Sequence, residues 1–128
     1  MKLLLDTHVL LWAIDKPNLL SRRVRKALLD EVNELHASVV SIWEIRLKVE
    51  AGKLTLPSGA GFLEENLRKA GVESYLPLGI LHVHQLAKLP PIHKDPFDRI
   101  LLAQALVEGW TLVTKDENLA KYPHKVFW

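Results

Sequence analysis

Short apolar runs that stop abruptly at polar residues, spaced by longer segments with helical periodicity, constrain this chain more than any other feature. Leu3-Leu4-Leu5 ends at Asp6-Thr7, residues 35–39 lead into Ser41, residues 72–76 end at Pro77, and Trp110-Thr111-Leu112-Val113-Thr114 runs on to Asp116. Runs of this length bounded by polar caps suit strands buried in a parallel sheet. Between them, Ser21 can cap a helix through about residue 33, because Val24, Ala27 and Leu28 recur at helical spacing while Arg22, Arg23, Arg25 and Lys26 face elsewhere. Ser41-Ile42-Trp43-Glu44 has the form of a capping box for a helix ending at Gly52. Further helices are expected over residues 61–71 and 79–89, the latter stopped by Pro90-Pro91, and over residues 95–109, opened by Asp95-Pro96. A short helix should start at Asp116-Glu117-Asn118, and residues 126–128 read as a last strand. Strands alternating with helices predict an α/β sandwich with a mainly parallel sheet. At 128 residues the chain is expected to be one domain, 1–128, with one hydrophobic core.

Composition narrows the function classes. Cysteine is absent, which removes thiol catalysis, disulfide scaffolds and Cys-based zinc sites, and fits a cytoplasmic protein. Hydrophobic residues make up 48% and charged residues 25%, outside the range of disordered chains. The net charge of +2, from 17 basic against 15 acidic residues, makes adhesion to nucleic acid by bulk charge an unsuitable function. No stretch approaches the roughly 18 apolar residues of a membrane span, so a soluble protein without a membrane partner is expected.

Three acids share one kind of address. Asp6 follows the first strand, Asp116 follows the strand at 110–114, and Glu44 opens the helix after the second strand; Asp98 joins them from a helix start. In open parallel sheets ligands bind outside the carboxyl ends of the strands, near the point where strand order reverses. Four carboxylates gathered there would repel one another unless a cation sat between them, and hard oxygen ligands suit Mg²⁺ or Mn²⁺. Structural roles compete at each position. Glu44 could complete the capping box with Ser41, and Asp98 could complement a helix dipole. Asp6 has the least structural excuse, because an acid directly after an apolar strand must find partners or a cation.

Four strings in order, Leu4-Leu5-Asp6-Thr7-His8, Ser41-Ile42-Trp43-Glu44-Ile45, His93-Lys94-Asp95-Pro96-Phe97-Asp98-Arg99-Ile100-Leu101-Leu102-Ala103-Gln104-Ala105 and Leu112-Val113-Thr114-Lys115-Asp116, make the chain resemble the PIN domains, and within them the VapC-type ribonuclease toxins of bacterial toxin–antitoxin pairs. The resemblance spans nearly the whole chain. It implies a Mg²⁺-dependent endoribonuclease with acidic residues Asp6, Glu44, Asp98 and Asp116, a three-layer fold with the parallel sheet in the centre, a homodimer, and inactivation by a cognate antitoxin. All four acidic positions are filled. Asp95, three residues before Asp98, is assigned to helix capping. On this reading a metal held by Asp6 and Asp98, with Asp116 or Glu44 ligating directly or through water, polarises a phosphodiester of the RNA and acidifies water. Thr7 and Thr114 stand beside the acids and could hydrogen-bond water or phosphate, although capping and β-propensity also explain them.

The remaining polar features are read as structural. His82 and His84 do not share a helix face, His8 and His93 are taken as surface or internally satisfied histidines, and the basic run at residues 22–26 as a solvated helix face. Trp12, Trp43, Trp110 and Trp128 could stack on bases, but core or dimer burial is the expectation for most of them. A phosphoacceptor receiver module is the rival of another class; it needs an acidic pair after the first strand and a lone Asp after the third, whereas Thr7 follows Asp6 and the third strand runs into Leu76-Pro77-Leu78. A non-catalytic RNA-binding protein of the same fold is the other alternative, and metal-dependent RNA cleavage separates the two.

Overall fold

The computed structural model describes residues 1–57 and 61–128. In chain order the elements are β1 (Lys2–Leu5), α1 (Thr7–Asp15), α2 (Arg22–Leu29), β2 (Glu34–Ser38), α3 (Val39–Glu50), α4 (Phe62–Lys69), β3 (Val72–Leu76), α5 (Ile80–Gln85), α6 (Pro96–Glu108), β4 (Thr111–Val113) and β5 (Val126–Phe127). The five strands form one sheet in the order β3-β2-β1-β4-β5, and every pairing is parallel. Leu4 stands opposite His36 on one side and Leu112 on the other, so β1 is a central strand.

Alternation along the strands sorts the core into two layers. Leu3, Leu5, Leu35, Ala37 and Val113 face a cluster with Val9 and Leu10 of α1, Val24 and Ala27 of α2, and Leu67 of α4. Leu4 and Leu112 face the opposite cluster, with Ile100, Leu101, Leu102, Ala103 and Ala105 of α6. The result is the three-layer α/β/α arrangement, as expected. Each fully buried leucine contributes about 1.5–3 kcal/mol, and Leu4→Ala in the central strand is expected to cost about 2–5 kcal/mol.

Helix ends follow local chemistry. Gly109 ends α6 at φ 72°, the left-handed conformation that closes a helix through Trp110 N–H to Ala105 O at 2.9 Å. Asp95 caps the other end by accepting from Phe97 N at 2.8 Å and Asp98 N at 3.3 Å, as assigned. Buried Ser38 donates to Gln104 Oε1 at 2.6 Å, and Gln104 Nε2 donates to Pro77 O at 3.3 Å, fixing α6 against the ends of β2 and β3.

Several sequence expectations are corrected. Asp6, expected to have the least structural excuse, is the N-cap of α1, a helix the sequence reading did not assign. Ser41 and Glu44 do not form a capping box: the cap of α3 is Ser38, whose Oγ accepts from Val40 N at 3.0 Å, because the chain turns helical as soon as it leaves β2. The helix begun after Ser21 stops at Leu29, where Asp30 enters a turn and accepts from Val32 N at 3.0 Å. The helix expected at Asp116 is a single 3₁₀ turn over Leu119–Lys121.

Candidate active site

The order β3-β2-β1-β4-β5 reverses direction between β1 and β4, and the polar residues gather at that crevice. Asp6 ends β1 and is 5% exposed. Its Oδ1 accepts from Val9 N at 2.9 Å and its Oδ2 from the Thr114 hydroxyl. Burial raises its pKa above the ordinary carboxylate value, with Thr114 and Val9 opposing. Thr114 Oγ1 also accepts from Asp116 N at 3.1 Å, so one hydroxyl at the end of β4 orients both acids.

Asp116 and Asp98 meet around His93. Ligand atoms of the three lie within 4.8 Å of one another. His93 Nε2 is 2.9 Å from Asp98 Oδ2 and 3.0 Å from Asp116 Oδ2. Its Nδ1 accepts from Asp95 N at 3.1 Å, which puts the ring proton on Nε2, shared between two carboxylates. The loop carrying His93 is held by Tyr122, whose hydroxyl accepts from His93 N at 2.9 Å and donates to Pro90 O at 2.7 Å. Arg99 braces the same loop through Pro90 O at 3.0 Å and Leu86 O at 3.3 Å.

The two acids differ in their electrostatics. Burial and the Asp95 charge push Asp98 up to about 7, with Asp6 and Asp116 adding to the rise and His93 opposing it. Burial would also raise Asp116, but N–H donation from Leu119 and Asn118 together with His93 outweighs it and holds this carboxyl below its ordinary value.

Glu44, 7% exposed, stands one shell away from this group. Thr7 donates to Glu44 Oε1 at 2.6 Å; with its one proton so used, the Ser41 hydroxyl, 3.0 Å from Thr7, is the donor in that contact. Lys48 Nζ lies 3.1 Å from Glu44 Oε2, so both carboxylate oxygens are engaged. The structure therefore brings Asp98 and Asp116 into direct proximity, links Asp6 to them through Thr114, and links Glu44 to the Asp6 corner through Thr7. The sequence reading missed His93 as part of this group. Its position two residues before the capping Asp95 was the available signal, since a side chain there can accept the Asp95 N–H.

A family model for the PIN domain matches residues 3–125, and the chain belongs to the PIN-domain family. Among its relatives is Ribonuclease VapC22 of Mycobacterium tuberculosis (strain ATCC 25618 / H37Rv), 30% identical over 125 residues, which span 94% of this chain and 92% of that protein. Solved structures with the same fold include VapBC2 from Rickettsia felis bound to a DNA fragment from their promoter, with a TM-score of 0.73 and 18% identity over 100% of this chain and 99% of that one. FitAcB from Neisseria gonorrhoeae superposes with a TM-score of 0.65 and 21% identity over 98% of this chain and 96% of that one.

Proposed function

We propose that this protein is a Mg²⁺-dependent endoribonuclease acting as the toxin of a toxin–antitoxin pair, with Asp6, Glu44, Asp98 and Asp116 as its site residues. The observation that carries the reading is the gathering of Asp6, Asp98 and Asp116 at the sheet's switch point, where burial and then neighbouring negative charge push Asp98 up to about 7. A divalent cation relieves that repulsion. The donors offered are carboxylate oxygens, while the proton on His93 Nε2 makes that nitrogen a hydrogen-bond donor, so the set fits a hard ion such as Mg²⁺ or Mn²⁺. Asp98 and Asp116 would hold the ion, with Asp6 beside them. When bound, it supplies Lewis-acid polarisation of the phosphodiester and acidifies water.

The protein's own residues prepare that chemistry. Thr114 and Val9 fix Asp6 in one orientation, and His93 holds the Asp98 and Asp116 carboxylates at a set spacing. Glu44, engaged at both oxygens by Thr7 and Lys48, suits an orienting and electrostatic role more than proton abstraction. Thr7, adjacent to Asp6 in the chain, transmits that orientation.

The name of the relative Ribonuclease VapC22 supports a ribonuclease, and the VapBC2 complex of the same fold supports a protein partner, which we take to be the antitoxin. A homodimer is supported by apolar side chains left in solvent: Val39, Trp43 and Leu47 recur every four residues along α3, and Ile80 and Leu81 on α5 are 66% and 65% exposed. The deciding experiment is cleavage of single-stranded RNA by the wild type, Asp6→Asn and Asp98→Asn, in Mg²⁺ and in EDTA. Loss of orders of magnitude in both variants and in EDTA is the expected result; an Asp6→Asn protein with wild-type turnover removes the assignment.

A further inference from the structure

We infer that the cleft beside α1 and the residues following α3 receives one unpaired nucleotide of the RNA, its base against Trp12 and His8 and its phosphate between Lys16 and Lys53; the inference rests on the ribonuclease reading. The cleft encloses about 420 Å³, within the roughly 300–1,000 Å³ of small-ligand sites. His8 and Trp12 are one turn apart on α1 and line the same wall, their rings 5.7 Å apart and tilted by 43°. The tilt leaves each ring free of a parallel stack with the other.

Charge selects the occupant. Lys16 and Lys53 line the cleft against Asp15 as its one acid among the described residues, Lys48 on the same wall is paired to Glu44, and most of the remaining wall is apolar. Cations interleaved with aromatic faces are the signature of single-strand binding, because every base has a π-face and every linkage a phosphate. Two residues of the cleft wall stand next to the carboxylate residues. Lys48 on its wall is the residue paired to Glu44, and His8 lies two positions after Asp6. On its other side the Trp12 ring is within 6.0 Å of Lys115 Nζ, the neighbour of Asp116, and 6.0 Å from the Trp128 ring. A strand whose scissile phosphate sits at Asp98 and Asp116 thus has an aromatic and basic surface on the Asp6 side of the site. A paired base cannot reach this wall, so the cleft selects unpaired or extruded nucleotides.

The test measures poly(U) binding in EDTA, where cleavage is silent, by tryptophan fluorescence, and steady-state cleavage in Mg²⁺. Trp12→Leu, Lys16→Gln and Lys53→Gln should each weaken poly(U) binding, by about tenfold for the aromatic change, with the loss in cleavage falling on KM rather than kcat. Lys26→Gln, which removes the same charge from α2, should change neither by more than about twofold. Lys16 and Lys53 are exposed, so those variants keep the test valid if Trp12→Leu misfolds. Unchanged binding and KM in both lysine variants overturn the subsite, as does binding of the poly(A)·poly(U) duplex as tight as that of poly(U). If the wild type binds poly(U) through the cleft but cuts no RNA in Mg²⁺, the cleft stands and the ribonuclease reading falls.

Discussion

Thr114 donates its hydroxyl to Asp6 across 108 positions of sequence, joining the end of β4 to the end of β1. The same oxygen receives the Asp116 N–H. Thr114→Val keeps the shape and removes both bonds, leaving buried Asp6 Oδ2 without its donor. The expected cost is about 1–3 kcal/mol in stability, measured by urea denaturation, together with a loss of RNA cleavage. Thr114→Ser should recover most of both. A valine variant equal to the wild type in both measurements would mean that Thr114 does not orient Asp6.

Asp98 sets a pH dependence of stability in metal-free protein. Its pKa is about 7 in the fold against an ordinary 3.8, so the folded state keeps the proton that the unfolded chain gives up. Its favourable contribution is complete below pH 3.8 and is lost as pH rises to and through about 7. Asp98→Asn mimics the protonated form at every pH. In EDTA the variant should therefore be more stable than the wild type at pH 8, with the gap shrinking as the solution is acidified toward pH 4. A gap that is constant with pH, or that favours the wild type at pH 8, contradicts this account of the cluster.

Mg²⁺ should narrow the comparison. Binding at a hundred times its dissociation constant stabilises the wild type by about 2.7 kcal/mol through mass action alone, and Asp98→Asn, lacking one ligand, should gain less. Thermal melts with EDTA and with Mg²⁺ read this directly; identical melting temperatures for the wild type in both would mean that the acids hold no ion.

Thr7 and Glu44 should be energetically coupled through their 2.6 Å contact. In a double-mutant cycle of Thr7→Val and Glu44→Gln, the combined stability loss should be smaller than the sum of the single losses by about 0.5–3 kcal/mol. Additive effects would show that the contact carries no energy.

The exposed stripe on α3 predicts association. Leu47→Glu is expected to convert a dimer to a monomer in sedimentation equilibrium while leaving the circular dichroism spectrum unchanged, because Leu47 is 39% exposed and outside both core clusters. A wild type that is already monomeric at high concentration removes the dimer.

The strands were legible in the sequence because each apolar run is bounded by a residue that cannot continue it, and Asp6, Asp98 and Asp116 were legible because each sits just past such a boundary or at a helix start. What escaped the reading had physical reasons. The residues of α1, Thr-His-Val-Leu-Leu-Trp-Ala-Ile-Asp, carry apolar side chains around most of the helix, so no 3.6-residue stripe stands out, and its cap is the acid already assigned to the site. Ser41 and Glu44 have capping-box spacing but lie inside α3, since the helix starts at Val39. There Glu44 answers to Thr7 and Lys48 instead of a free helix end. His93 reaches Asp116 over 23 positions only because Tyr122 and Arg99 fold the intervening loop back, and no local pattern encodes that.

β1 precedes the other four strands of the sheet in the chain, yet it lies between β2 and β4. Until β4 has been synthesised, Asp6 has neither Thr114 nor Asp116, and one long edge of β1 is unpaired. Long-range parallel pairing of this kind forms late. Chains that stop short of β4 therefore cannot assemble the proposed catalytic centre.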